Sequence, residues 1–136
     1  MPTTKNALET MEVAMNLAYE INEPACIALI GELGAGKTVF VKGIAKALGI
    51  TEVIKSPSFV IMRSYEGRMK LYHLDLYRIG AINEILPFEE YLLRDGITAV
   101  EWADKIKNIL PEERIEVRID IQKKEKRRVT INDFRN

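Results

Sequence analysis

Apolar side chains recur at helical spacing between residues 7 and 21, where Leu8, Met11, Met15 and Ala18 form a stripe that Leu17 and Ile21 widen. Asn6 followed by Glu9 supplies a capping-box start. Pro24 breaks this helix, and "ACIALI" at residues 25–30 reads as a short strand buried on both faces. Val39, Phe40, Val41, Ile44, Ala45 and Leu48 then fit a second amphipathic helix, with Lys46 in its last turn and Gly49 as its C′ residue. From Ser58 the period shortens: "FVIMRSY" and "MKLYHLDLY" flank "EGR", which predicts an antiparallel hairpin around Gly67. In its second strand His73, Asp75 and Tyr77 share one face, while Tyr72, Leu74 and Leu76 take the other. A further helix is expected over part of residues 83–94, started or interrupted near Pro87 and closed by Gly96. "ITAVEW" reads as another buried strand, "ADKIKNIL" as a helix ended by Pro111, and "RIEVRIDI" with "RRVTIND" as a closing hairpin about "QKKEK". Strands alternating with helices, plus hairpins, predict an α/β domain whose mixed parallel and antiparallel sheet is flanked by helices.

Composition narrows this picture. A chain of 136 residues suits one domain, residues 1–136, with a core large enough to need no staples. Lys plus Arg and Asp plus Glu both number 20, so no general electrostatic grip on nucleic acid is expected. The single Cys26 excludes an internal disulfide framework, and its apolar neighbours predict a buried, unreactive thiol. The N-terminus lacks a basic region followed by an apolar one, and no apolar run is long enough for a bilayer, so a cytoplasmic location without membrane contact is expected.

Candidate chemistry centres on "GELGAGKT", which fits the phosphate-loop (Walker A) pattern G-x-x-x-x-G-K-[ST] at Gly31, Gly36, Lys37 and Thr38. The buried strand before it and the helix after it are the context that pattern requires. Gly34 and Gly36 let successive N–H groups converge, and the helix start adds unpaired donors and the positive end of a dipole. Lys37 would reach the β and γ phosphates of a nucleotide, and the Thr38 hydroxyl would ligate Mg²⁺. The loop residues Glu32, Leu33, Gly34, Ala35 and Gly36, with Val39 beyond, make up the expected cradle. A P-loop NTPase also needs a carboxylate near the metal. Glu101, ending the strand "ITAV", and Asp75, in "LYHLDLY", are the two candidates. Each has a plainer alternative: Glu101 as a helix N-terminal acid, Asp75 as a partner for Arg78 or a lysine.

Beyond the loop, "SPSF" at residues 56–59, "YHLDLYRI" at 72–79 and "VEW" at 100–102 occur in a fixed order. With "GELGAGKTVFVKGIAKALGI" they resemble the TsaE family, small bacterial P-loop ATPases of tRNA threonylcarbamoyladenosine (t6A) biosynthesis. The resemblance covers most of the chain and implies a three-layer P-loop NTPase-like fold. It implies ATP and Mg²⁺ as cofactors, Lys37 on the phosphates, and Thr38 and Glu101 at the metal. Asp75 would be a further acid at the metal or the attacking water, Trp102 would pack near the nucleotide, and Thr10 would lie near the base. It further implies a weak, partner-dependent ATPase that lets a threonylcarbamoyl-transferring complex turn over. Its partners would be the catalytic TsaD-like subunit and its inactive TsaB-like paralogue, with tRNA met through the complex. Two positions depart from the family pattern: Glu32 replaces a frequent Asp, and Val39 replaces a frequent second Thr, removing a hydroxyl that could bond a phosphate.

Other features carry plainer readings. His73, the only histidine, is expected to be a hydrogen-bonded strand residue beside Asp75, with a general base as the alternative. Arg63, Arg78 and Arg94 could include a charge-stabilising finger, though surface ion pairing accounts for such arginines as well. "KKEKRR" at residues 123–128 is expected to be a solvated hairpin tip, with tRNA contact as the alternative. A small-molecule or nucleotide kinase is the main rival function, but little chain is left for a second substrate pocket and lid. A guanine-reading segment is absent, which disfavours a GTPase.

Overall fold

The computed structural model describes residues 3–55, 61–80, 84–93 and 95–135. The S-P-S-F segment, residues 59 and 60 of the expected hairpin, and Arg94 lie outside the described residues. The described elements are β1 (Thr3–Thr4), α1 (Ala7–Tyr19), β2 (Ala25–Ile30), α2 (Lys37–Ala47), β3 (Met62–Tyr65), β4 (Lys70–Asp75), β5 (Gly96–Glu101), β6 (Ile115–Lys123) and β7 (Lys126–Asp133). They build a seven-stranded sheet in the order β1-β7-β6-β2-β5-β4-β3. β6, β2, β5 and β4 run parallel at its centre, and β3, β7 and β1 add antiparallel edges. The expected mixed α/β sheet is therefore present, in a P-loop NTPase-like arrangement.

β2 and β5 are buried at every position, as strands covered on both faces must be. One face carries Ile27, Leu29, Leu71, Ile97 and Ala99 against α1 and α2. The other carries Cys26, Ala28, Tyr72, Leu74 and Val100 under the connecting segments 84–93 and 103–110. Asn6 caps α1 by accepting from Glu9 N–H at 2.9 Å, and Glu9 returns a bond to Lys5 N–H at 2.8 Å. At the far end of α2, Gly49 N–H bonds Lys46 O and Ile50 N–H bonds Ala45 O, the double closure of a Schellman turn.

Three expectations need correction. The buried face of α1 is Thr10, Ala14, Ala18 and, just beyond its end, Ile21, whereas Leu8 is 61% exposed and Met11 and Met15 only partly covered. The reason is close helix packing: a Cβ built on Gly43 of α2 would lie 2.4 Å from Met11 O and 2.7 Å from Ala14 Cβ, so small residues occupy the contact. The helix expected within 83–94 is a 3₁₀ segment, Leu86–Leu93. The helix expected at "ADKIKNIL" is a single 3₁₀ turn, Ala103–Ile106. Segment 84–93 returns the chain from the end of β4 to the start of its neighbour β5, and segment 103–110 passes β2 to reach β6. 3₁₀ geometry advances about 2.0 Å per residue against about 1.5 Å for an α-helix, so each spans its distance with fewer residues.

Candidate nucleotide-binding site

The site forms where β2, β4 and β5 end together. Parallel register sets Asp75 beside Glu101 on neighbouring strands, and β2 runs straight into the glycine loop. This is the carboxyl edge of the parallel strands, where open α/β sheets bind ligands. Gly34 and Gly36 have φ of 81° and 111°, in the left-handed region that glycine enters without steric cost. α2 therefore starts at Lys37 with no side-chain cap, and its first N–H groups face the loop.

Lys37 is 4% exposed. Its ammonium donates to Gly31 O at 2.6 Å and Glu32 O at 2.9 Å, and it lies 4.1 Å from the centre of the Trp102 ring. Burial lowers its pKa, outweighing the attraction of Glu101, Asp75, Asp104 and Glu32. Trp102 holds this position from a left-handed backbone (φ 59°) directly after β5, and its ring packs tilted against that of Tyr77, the centres 5.1 Å apart. Lys105 donates to Tyr77 O at 2.7 Å and so secures the turn that follows Asp75.

Thr38 donates to both Glu101 carboxylate oxygens, at 2.9 and 3.1 Å. His73 Nε2 lies 2.5 Å from Glu101 Oε2, the oxygen that also takes the shorter Thr38 bond; a carboxylate only accepts here, so this nitrogen carries the proton. His73 is fully buried, and its Nδ1 has no hydrogen-bond partner among the described residues. It is the expected hydrogen-bonded strand residue beside Asp75 on β4, and its partner is Glu101. Two residues separate the rows on parallel strands (His73 pairs with Ala99), a diagonal that only the β4–β5 register reveals. Asp75 is half-buried and accepts from Tyr77 N–H at 3.0 Å.

Around these groups lies a cleft of about 390 Å³ lined by the loop, Lys37, Thr38, Val39, Asp75, Tyr77, Arg78, Glu101 and Trp102. Of the expected arginines, Arg78 lines it and Arg63 is exposed on β3. A second cavity of about 110 Å³ adjoins the loop's other side and is walled by Thr10, Ala35, Val39 and Arg127. Thr10 thus stands at the loop, its buried hydroxyl 2.6 Å from that of Thr4. Glu32 and Leu33 project into solvent at the loop tip. Arg127, in the basic run read as a solvated tip, was missed: it donates to Ala35 O at 2.9 Å and Gly34 O at 3.3 Å. No local signal marks it, because 92 residues separate it from Ala35.

The donor set fits a polyphosphate with a divalent ion. Among the described residues no three His, Cys, Asp or Glu side chains form a metal cage. Thr38 and Glu101 offer a hydroxyl and a carboxylate, the sparse protein ligation typical of Mg²⁺ that also binds phosphates and water.

Strand, left-handed glycine turn, buried lysine and helix start define a P-loop NTPase-like domain. A family model described as "Threonylcarbamoyl adenosine biosynthesis protein TsaE" matches residues 4–129, and the chain belongs to that family. It is 39% identical to the tRNA threonylcarbamoyladenosine biosynthesis protein TsaE of Bacillus subtilis over 134 residues, covering 98% of this chain and 85% of that protein. The protein of the same name in Treponema pallidum is 32% identical, covering 94% and 96%. The crystal structure of Bacillus subtilis YdiB superposes with a TM-score of 0.84 at 36% identity, covering 98% of this chain and 84% of that one.

Proposed function

We propose that this protein binds ATP with Mg²⁺ in the cleft and hydrolyses it slowly, as the ATPase that sustains turnover of a t6A-forming complex. The family and the names of its relatives support the pathway. One observation carries the chemistry: Lys37, Thr38 and Glu101 converge at the mouth of a buried strand, facing an open cleft.

In this reading Lys37 exchanges two main-chain carbonyls for phosphate oxygens, gaining full opposite charges in a poorly hydrated place. Thr38 and Glu101 would hold the metal, which when bound neutralises charge between phosphates. His73 keeps the Glu101 carboxylate turned toward Thr38. Asp75 would accept the proton of the attacking water, and Trp102 shields the ammonium from solvent. TsaD-like and TsaB-like proteins would be the partners, completing a site that works weakly alone, and tRNA would be met through that complex. The expected cytoplasmic location belongs to the same proposal; no helix among the described residues is long and apolar enough to cross a membrane.

Titration with ATP and Mg²⁺, followed by phosphate release with and without the partner proteins, tests this. Lys37→Ala should weaken ATP binding by about 1.5–3 kcal/mol, the worth of hydrogen bonds to charged groups. Glu101→Gln should keep the Thr38 bond yet abolish the Mg²⁺ dependence of phosphate release. Hydrolysis unaffected by Glu101→Gln and by the partners would remove the proposal.

A further inference from the structure

The turn between β6 and β7 does more than join two strands. Lys124 is left-handed there (φ 51°), and a register shift between Ile121 and Lys123 bends the hairpin. Arg127 follows immediately. Its main chain is paired on both sides, with Thr4 of β1 and Ile121 of β6, so its stem starts from a fixed point. Its guanidinium then meets four main-chain carbonyls: Nε donates to Ala35 at 2.9 Å, Nη2 to Gly34 at 3.3 Å, and Nη1 to Lys124 at 2.5 Å and Lys126 at 3.0 Å. Bonds to Lys124 and Lys126 alone would serve only the hairpin. The other two reach the phosphate loop.

We infer that Arg127 is a positioning residue for that loop, clamping its outer carbonyls so that its amides keep the orientation a polyphosphate needs. The inference rests on the ATP-binding reading. In a trans peptide the carbonyl and the following N–H point in opposite directions. Holding Gly34 O and Ala35 O on the hairpin side therefore turns the N–H groups of Ala35 and Gly36 the other way. Ala35 N–H, so turned, closes the loop's own turn on Glu32 O at 3.0 Å, and Gly36 is the N-cap from which α2 starts. A charged donor on a carbonyl also polarises the peptide, making its N–H a stronger donor. Glycines at 34 and 36 give this loop many alternative conformations, so an external clamp has conformational entropy to remove before a ligand arrives. Arginine suits the task because its rigid fork meets four fixed acceptors; lysine offers three donors from one point.

The test compares the full-length wild type, Arg127→Lys and Arg127→Met by calorimetric titration with ATP and Mg²⁺, by phosphate release, and by ¹H–¹⁵N spectra without nucleotide. Loss of two charged-donor bonds should weaken ATP binding about tenfold in the lysine variant and up to about a hundredfold in the methionine variant. KM should rise while kcat stays within about twofold, as expected for lost uniform binding. Amide resonances of Gly34, Ala35 and Gly36 should move while that of Gly49, at the far end of α2, stays. If Arg127→Met does not fold, Arg127→Lys, which keeps charge and stem, carries the test. Wild-type affinity in the lysine variant overturns the inference, whether or not the resonances move. Should the wild type itself bind no ATP, the proposed function fails, and the spectra alone decide whether the clamp exists.

Discussion

Lys37 is a cation kept where water scarcely reaches, and its titration should be visible in stability. Burial lowers its pKa below the ordinary 10.5, so the folded chain releases this proton at lower pH than the unfolded chain. Between the two pKa values the unfolded state holds more protons, and stability therefore rises with pH across that window. Urea midpoints measured up to pH about 10.5 should climb more in the wild type than in Lys37→Met. Parallel profiles would mean the ammonium is not desolvated in solution. At this scale the sequence was informative wherever the chemistry was local. Lys37, Thr38 and the left-handed glycines follow from one contiguous pattern. Glu101 and Asp75 were open between metal work and plainer roles because their neighbours lie on other strands; the register that sets them side by side, and His73 diagonally against Glu101, is a property of the sheet.

Among the elements, the contact between α1 and α2 leaves no room for an added methyl. Alanine at Gly43 gains about 1 kcal/mol of helix propensity, but its methyl would fall 2.4 Å from Met11 O and 2.7 Å from Ala14 Cβ. Main chain yields little, so overpacking should prevail and Gly43→Ala should cost a net ~1–2 kcal/mol in urea unfolding. A neutral or stabilising result would show that the helices separate freely. This contact explains why the apolar stripe of α1 misled: large residues at Leu8 and Met11 cannot enter so narrow a gap, and Ala14 and Ala18 can. β2 and β5, by contrast, were legible because strands buried on both faces leave unbroken apolar runs. The two 3₁₀ segments were not, since apolar spacing signals that a segment is covered but leaves the rise per residue to the distance it must span.

Over the whole molecule, the site and the deep core are kept apart. The site sits at the carboxyl edge of the sheet, and the face turned away from α1 and α2 holds Cys26, fully buried with its thiol pushed up to about 12 by desolvation. Modification by a thiol reagent at neutral pH should therefore follow global unfolding, with rates that rise with urea as the unfolded population does. Rapid labelling without denaturant would place an opening at the centre of the sheet. The parts of the site are also widely spread along the chain. A Cβ on Gly31 would lie only 2.6 Å from Ile119 O, so β6 closes against the start of the phosphate loop, while β7 supplies Arg127 behind it. During synthesis the ribosome delivers residues 31–38 well before Ile115–Asp133. A nascent or prematurely terminated chain lacking that last hairpin would display every residue of the glycine motif and still have no backing for it, so under the proposed function unfinished copies should bind nucleotide more weakly than finished ones.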